Sequence, residues 1–322
     1  MKISITDRNG SGIIRAFAQA IGATVSGRFV HIPDSKGEGY LSGISWGGDL
    51  RMMVRHYYLK EDIVIERTNE LAEGQDDVIF LLSGVYSSLQ AARHVAPERA
   101  YVFICDQGLS ALMKMPAHTL FGSVTIAVSR PYLRHLFGEI DHPVVASLLK
   151  TKGNFAFETN ISPQLIKTAG EMLHQPIPDQ LENQYYKLKC EELLCYVFAL
   201  LLQREAMPVS KLHIEDIKSI YAIKQHLQAH LDEAPQIASL ARQAHMSQPK
   251  LRKLFKQTFG KGVFEYYQSI RMQEAARLLK EKGLTVSEVG YQLGFTNLSH
   301  FSRVFEEHVG HKPKKFSHYQ ST

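Results

Sequence analysis

One apolar pattern occurs twice in the last hundred residues of this 322-residue chain. The first part of the pattern repeats at an offset of 49 residues and the second at an offset of 50, after a single inserted residue. A repeat of this length indicates that one supersecondary unit occurs twice. The matched positions are Ile237, Leu240, Ala241, Met246, Leu251, Phe255, Phe259 and Gly260 in the first copy and Val286, Val289, Gly290, Phe295, Phe301, Phe305, Val309 and Gly310 in the second.

Each copy predicts a short amphipathic helix, a tight polar turn and a second helix, which together form a helix-turn-helix. The turns fall at Ser247 and at Thr296-Asn297, and we expect the side chains of Ser247 and Asn297 to cap the second helices. The two units are predicted at about 236–260 and 285–310. Residues 263–280 between them contain no Gly or Pro and predict a continuous helix about 27 Å long.

The two second helices differ in the polar residues that remain for solvent. Residues 235–322 carry 14 Lys and Arg against six Asp and Glu, a net charge of +8. In the first copy, inward Leu251, Leu254 and Phe255 leave Lys250, Arg252, Lys253 and Lys256 outward. In the second copy, Phe301, Val304 and Phe305 pack inward and leave the shorter, mixed donors and acceptors Asn297, Ser299, His300, Ser302 and Arg303.

A cluster of cations on one helix suits the phosphates of double-stranded DNA, because neutralising phosphates releases counterions. Arg252 and Arg303 also have the planar guanidinium that reads guanine. A helix of about 27 Å between the copies would set their second helices roughly one DNA turn, ~34 Å, apart. We therefore predict a DNA-binding domain whose first unit anchors on phosphates and whose second unit discriminates bases.

Residues 240–260, LARQAHMSQPKLRKLFKQTFG, and residues 264–313 resemble the AraC/XylS family of transcription regulators. In that resemblance the second segment joins the linker helix to the second helix-turn-helix. It implies an activator that contacts RNA polymerase and responds to a small-molecule effector, with no enzymatic activity. Three departures stand out: Gly290 replaces the usual Ala, Pro249 replaces a frequent base-contacting residue, and Ser317 follows Phe316 where the family has an arginine near the end of the chain.

The N-terminal region favours strands from about residue 39 to 133, because short apolar runs with period-two alternation are bounded by Gly, Asp and Ser. The predicted fold class is α+β. It comprises a β-rich sandwich or barrel-like sensor domain at 1–178 with a short helix at about 163–173, a helical linker at 179–212, and an all-α domain at 213–322. Residues 185–201 and the strands before them resemble the branch that includes the pyochelin regulator, which implies a sensor for a small molecule such as a ferric siderophore.

Two sets of residues are candidates for binding in this N-terminal part. Tyr40, Trp46, Arg55 and Tyr57 offer aromatic walls and a cation for an aromatic or anionic ligand. Half-buried aromatics are also ordinary core. Tyr186, Cys190, Leu193, Val197 and Leu200 form an apolar stripe on the predicted linker helix, which fits either a homodimer seam or a core within the domain.

Other chemistry finds little support in the sequence. Residues 43–47, GISWG, match the nucleophile elbow of hydrolases but are followed by a strand pattern instead of the required helix. His226 and His230 lie four apart and lack a third metal ligand, and the three cysteines form no C-x-x-C pair. No apolar run approaches the ~20 residues of a membrane span, so we expect a soluble cytoplasmic protein. The alternative function is a ligand-binding or enzymatic β-barrel whose C-terminal helices mediate protein contacts.

Overall fold

The computed structural model describes residues 2–6, 12–68, 77–85, 100–106, 112–115, 117–150, 155–174, 177–205, 212–281 and 284–318. The chain divides into a first unit, Met1–Leu212, and a second unit, His213–Thr322. The first contains strands and helices, and the described part of the second contains helices. The predicted α+β class is confirmed.

Strands of the first unit build one large and one small sheet. The strands are β1 (Lys2–Thr6), β2 (Val25–Ser26), β3 (Phe29–His31), β4 (Gly37–Trp46), β5 (Leu50–Leu59), β6 (Ile63–Thr68), β7 (Asp77–Ser83), β8 (Tyr101–Asp106), β9 (Leu112–Met115), β10 (Leu120–Ser129) and β11 (Ala156–Asn160). The large sheet is antiparallel, with the strand order β11-β8-β7-β10-β5-β4-β3-β2, and the small sheet has the order β1-β6-β9 with β1 and β6 parallel.

Two apolar layers cover the two faces of the large sheet, because successive side chains of a strand point to opposite faces. Met52 and Val54 of β5 belong to a core shared with the helices α2 (Arg130–Phe137), α3 (Pro143–Lys150), α4 (Pro163–His174) and α5 (Asp179–Leu202). Tyr57 and Leu59 belong to a second core, which contains Phe17 of α1 (Gly12–Ile21) and residues of the small sheet. The predicted short helix at about 163–173 corresponds to α4.

The long helix α5 is part of the first unit and not a separate linker, which corrects the boundary predicted at residue 179. Tyr186, Cys190, Leu193 and Val197 are 0–5% exposed within the core that also contains the large sheet, and Leu200 packs against that core. The predicted dimer seam through these residues is therefore wrong, and the core alternative holds. An apolar stripe shows that a helix face is covered, but it does not identify the surface that covers it.

The second unit begins with α6 (Ile214–Ala229) and continues through α7 (Ile237–Gln243), α8 (Gln248–Phe259), α9 (Val263–Glu281), α10 (Val286–Gln292), α11 (Leu298–Val309) and α12 (Pro313–His318). Helix α9 packs against α8, which precedes it in the sequence, and against α10 and α11, which follow it. Within the described ranges, no helix combines the length and apolar character needed to cross a membrane.

Candidate nucleic-acid interface

Both copies of the repeat fold into two helices joined by a turn. Helix α7 precedes α8 in the first copy, and α10 precedes α11 in the second. The turns place His245 and Gly294 at positive φ angles of 52° and 76°. These residues are 49 apart, so the same left-handed position reverses the chain in both copies. Glycine adopts that conformation without the steric cost that histidine has.

Polar side chains cap the second helix of each copy, as predicted. The Ser247 Oγ accepts from the Lys250 N–H at 3.4 Å. The Asn297 Oδ1 accepts from the N–H groups of Ser299 and His300 at 2.9 and 3.0 Å. Asn297 was also predicted to contact DNA, but its carboxamide oxygen is engaged in this cap, so that only its NH₂ group remains for another partner.

Sequence reasoning missed the motif that begins the first helix of the second copy. Thr285 and Glu288 form a capping box, in which each side chain binds the backbone N–H of the other. These hydrogen bonds from Thr285 hold the pKa of Glu288 below its usual value. The T-x-x-E spacing at 285–288 is a recognised signal for this motif, so it could have been found from the sequence. The box fixes the start of α10.

Helix α8 presents a basic surface. Arg252 and Lys253 are exposed, and Lys256, near the end of the helix, is half-buried. Lys250 is exposed too, but its Nζ lies 2.8 Å from Asp216 Oδ1 of α6. Asp216 therefore offsets part of the positive charge that the sequence assigned to this helix. The inward residues Leu251, Leu254 and Phe255 are at most 5% exposed, as the repeat predicts.

Helix α11 presents a nearly neutral surface. Ser299, His300 and Arg303 are exposed, and Ser302 is half-buried. Glu306 and Glu307 are exposed one turn further along the helix, so acidic groups bound the polar patch. The predicted inward residues Phe301, Val304 and Phe305 are buried. The difference in charge between the two second helices is therefore present on their surfaces.

Gly290 explains one departure from the family pattern. A Cβ at this position would lie 2.6 Å from Leu298 Cδ2 and 3.3 Å from Phe301 Cδ1. The usual alanine would therefore require Leu298, the first residue of α11, to move. Glycine lets α10 and α11 approach closely in this chain.

Helix α9 connects the two copies and carries a buried cation that sequence reasoning missed. The helix has 19 residues, Val263–Glu281, and the apolar side chains of Tyr267, Ala275 and Leu278 are buried. Phe264, near the start of the helix, is 55% exposed. Arg271 is only 6% exposed, and burial lowers the pKa of its guanidinium.

The four residues predicted to bind a ligand lie on opposite faces of the large sheet, so a single pocket formed by all four is wrong. The β4–β5 register pairs Tyr40 with His56, and paired residues share a face, which separates Tyr40 from Arg55 and Tyr57. Tyr40 Oη donates to Leu173 O at 2.7 Å, and Trp46 Nε1 donates to Asn183 O at 3.2 Å. Burial raises the pKa of Tyr40 to about 12.

Arg55 and Tyr57 share the other face with an aromatic ring. The Arg55 Nε donates to Ser123 Oγ at 3.0 Å, and its guanidinium lies 5.0 Å from the centre of the Phe121 ring. Phe121 stacks on Tyr57 with 5.1 Å between ring centres. Arg55 is 4% exposed, so this face holds a buried cation among hydroxyl and aromatic groups.

The motifs for other chemistry lack the geometry they require. Ser45 of GISWG lies in β4 and its Oγ donates to Gly47 O at 2.9 Å, while β5 follows where a hydrolase needs a helix. The rings of His226 and His230 are 4.3 Å apart. Among the residues that the structure describes, no group of three His, Cys, Asp or Glu is placed to hold a metal ion.

Comparisons with known proteins point to one domain type. A family model described as a helix-turn-helix domain matches residues 240–318, a range that contains both α8 and α11. The arabinose operon regulatory protein of Salmonella typhimurium is 32% identical over 138 residues, which are 42% of this chain and 48% of that protein. The transcriptional activator RhaR of Yersinia pseudotuberculosis is 25% identical over 157 residues, 47% of this chain and 54% of that protein.

These alignments cover about half the length of each relative. A solved structure of ToxT from Vibrio cholerae is similar over 84% of this chain and 98% of that chain, with 15% identity and a TM-score of 0.33. The family model lies within the region that contains the repeated unit.

Proposed function

We propose, from the premise that residues 240–318 form a helix-turn-helix domain of the AraC type, that this protein is a transcription regulator that binds double-stranded DNA sequence-specifically. The exposure of Arg252, Lys253 and Arg303 on the second helices of two equivalent units carries the proposal. Exposed cations on such helices suit phosphates and the guanine edge in the major groove. The proposal contains no catalytic step.

We assign different roles to the two units. Arg252 and Lys253, with Lys250 and Lys256 beside them, anchor α8 on the phosphate backbone, and Arg252 also reaches a base. Ser299, His300 and Arg303 of α11 read base edges, with Ser302 and the Asn297 amide beside them. A nearly neutral surface gains little from phosphates, so its contribution depends on the base sequence.

The test uses the full chain and a duplex that it selects from a random-sequence library. The single variants Arg252→Ala and Arg303→Ala should each weaken binding to that duplex by ~1–3 kcal/mol. Each should change nonspecific binding less. Arg277→Ala is the matched control, because Arg277 lies on α9 and pairs with Glu274 at 2.6 Å. Equal losses on every sequence would remove the base-reading assignment.

The same experiment decides the alternative function. If the C-terminal helices only mediate protein contacts, the wild-type chain selects no duplex and shows no salt-dependent binding. Selection of a defined duplex, with a loss on substitution of Arg303, would exclude that alternative.

A small-molecule effector is the second part of the proposal. The face that carries Arg55 and Tyr57 offers a cation 4% exposed and a stacked aromatic pair, which suit an anionic or aromatic ligand. The resemblance to the pyochelin-regulator branch makes a ferric siderophore the first compound to test. The hydroxyl of Tyr40 donates to a backbone carbonyl of α4, and the indole N–H of Trp46 donates to one of α5. We therefore assign both side chains to packing against these helices.

Thermal unfolding of the full chain tests the effector site. A ligand at about 100 times its Kd stabilises a protein by ~2.7 kcal/mol, so the melting temperature should rise with ferric siderophore. Arg55→Gln should abolish the rise. Arg134→Gln, on α2 and bound to Leu149 O at 3.1 Å, should keep it. An unchanged rise in Arg55→Gln would place the ligand elsewhere.

A homodimer remains part of the proposal, on a different face of α5. Leu181, Leu188 and Leu202 are 59%, 55% and 43% exposed, and Cys195 between them is exposed. These residues are spaced by seven, the repeat that keeps one face of two helices in contact. The wild-type protein should sediment as a dimer, and the Leu188→Gln variant should have the lower sedimentation coefficient of a monomer. A wild-type monomer at micromolar concentration would contradict the dimer.

Activation and contact with RNA polymerase complete the proposal and follow from the family resemblance, as does an action in the cytoplasm. Transcription with purified polymerase from a promoter beside the selected duplex tests them. A higher transcript yield with the protein supports activation, and a lower yield would make it a repressor.

A further inference from the structure

The loop between α6 and α7 lies against the second helix-turn-helix, although it precedes the first in the sequence. Leu231 of this loop packs against the apolar cluster formed by α9, α10 and α11. Tyr267 of α9 donates its hydroxyl to Leu231 O at 3.0 Å. A Cβ at Gly294 would lie 1.9 Å from Asp232 O. The turn of the second copy therefore contacts the backbone of the segment that leads into the first.

Arg271 binds the same turn through its guanidinium group. Its Nε donates to Leu293 O at 3.1 Å, and its Nη2 donates to the same carbonyl. Leu293 is the residue that ends α10. The guanidinium also lies 3.9 Å from the centre of the Phe295 ring and 5.0 Å from that of Tyr267. Its Nη1 donates to Gln268 Oε1 at 3.2 Å. The buried cation is thus held by one backbone carbonyl, one side-chain amide and two aromatic rings.

These contacts differ in kind from the apolar packing around them. Apolar side chains attract without a preferred direction, so the cluster can hold α9, α10 and α11 together over a range of relative rotations. Hydrogen bonds weaken steeply when donor and acceptor are misaligned. The bonds from Arg271 and Tyr267 therefore select one rotation. The turn from Leu293 leads directly into α11, so that rotation also sets the direction of α11.

We propose that Arg271 and Tyr267 are positioning residues that fix α11 relative to α8, and that they thereby determine the spacing between the two DNA segments that the protein accepts. This inference rests on the proposed DNA binding. Arg271 faces the protein interior and contacts no DNA. Loss of the junction should let α11 adopt several directions, so that more spacings become acceptable while the preferred one is bound less well.

The experiment measures affinity against spacing with the full chain. The probes are the duplex that the wild-type protein selects and two derivatives in which the segment between its two contacted parts is one base pair longer or shorter. One base pair rotates the second site by about one tenth of a DNA turn, so the wild-type protein should lose roughly tenfold in affinity on either derivative.

Three variants carry the test. Arg271→Met removes the hydrogen bonds at similar size, Arg271→Lys keeps the charge with a different donor geometry, and Tyr267→Phe removes only the hydroxyl. Arg271→Met and Tyr267→Phe should bind the selected duplex several-fold more weakly, and their loss on the derivatives should fall to about twofold. Arg271→Lys should lie between them and the wild type. Arg277→Met on the same helix should behave as the wild type.

The spacing profile separates a positioning role from a loss of stability. A partly unfolded variant binds every duplex more weakly by the same factor, so the ratio between the duplexes does not change. An unchanged ratio in both Arg271→Met and Tyr267→Phe would overturn the inference and leave the proposed function intact. Failure of the wild-type chain to select any duplex would overturn the proposed function and this inference together.

Discussion

The two helix-turn-helix units share a backbone plan but differ in what holds their turns and in what they present to solvent. Both reverse at a left-handed residue, His245 in one and Gly294 in the other. The first exposes Arg252 and Lys253, and the second exposes Ser299, His300 and Arg303 beside two glutamates. The two units thus share apolar residues at their buried positions and differ in the residues they expose.

The difference also extends to the surroundings of the turns. A Cβ at Gly294 would lie 1.9 Å from Asp232 O, so no side chain fits there, whereas His245 carries an exposed side chain at the corresponding position. The second helix-turn-helix therefore leaves no room for a side chain at its turn, and the first does. The neutral surface of the second has less long-range attraction for DNA, so its orientation matters more for recognition.

Core truncation should produce the largest effect and asks whether the two units unfold together. Phe301 is fully buried, and Phe301→Ala should cost ~3–5 kcal/mol of unfolding free energy. Because α9 packs against both units, the loss should also lower hydrogen-exchange protection of α8 amides. Leu251 of α8, in the first helix-turn-helix, is also fully buried, so Leu251→Ala is the matched variant. Protection of α8 that survives Phe301→Ala would show two independent units.

Substitution of one cation in each unit tests the division of roles. Lys253→Ala should weaken binding about equally on all sequences and reduce the salt slope by about one. Arg303→Ala should cost ~1–3 kcal/mol on the selected duplex only. Fluorescence anisotropy at several salt concentrations measures both. Reversal of the two patterns would exchange the roles of α8 and α11.

The caps offer a smaller contrast between the units. Asn297 accepts two backbone hydrogen bonds and Ser247 accepts one at 3.4 Å. We expect Asn297→Ala to cost about 1–2 kcal/mol and Ser247→Ala about 0.5–1 kcal/mol. Chemical denaturation provides the free energies, and Ser239→Ala within α7 is a control outside the caps. Equal costs would mean that the cap geometry does not distinguish the units.

The smallest expected effect concerns Asp216, which pairs with Lys250 at 2.8 Å. Asp216→Asn removes an acidic neighbour of α8, so DNA affinity should rise by about 0.5 kcal/mol at low salt. Glu215→Gln is the control, because Glu215 pairs with Lys218 on its own helix. A fall in affinity would show that the pair orients Lys250 for DNA.

The sequence predicted the C-terminal unit, His213–Thr322, well because its signals are local. The apolar repeat located the helices, and Ser247 and Asn297 marked where α8 and α11 begin. Arg271 escaped notice because an arginine on a helix is usually exposed. Its burial depends on the Leu293 carbonyl, 22 residues away, and on the Phe295 ring.

The N-terminal unit, Met1–Leu212, was harder to predict because its contacts join distant residues. Whether Tyr40 shares a face with Arg55 depends on the register between β4 and β5, and a shift of one residue reverses it. The apolar stripe of α5 was correct as a pattern, but the sequence could not choose between a dimer seam and a core within the domain. The core that contains Leu193 and Val197 also contains Met52, Val54 and Phe80, which lie more than 100 residues earlier in the chain.

Trp46 is the only tryptophan in the chain. Its indole N–H, at the end of β4, donates to the carbonyl of Asn183 in the first turns of α5. The tryptophan fluorescence of this protein, excited at a wavelength that tyrosine does not absorb, therefore comes from a single reporter at the junction between sheet and helix. Any event that separates α5 from β4, whether heat, a bound compound or association of two chains, should shift the emission wavelength of the unmodified protein without an added label.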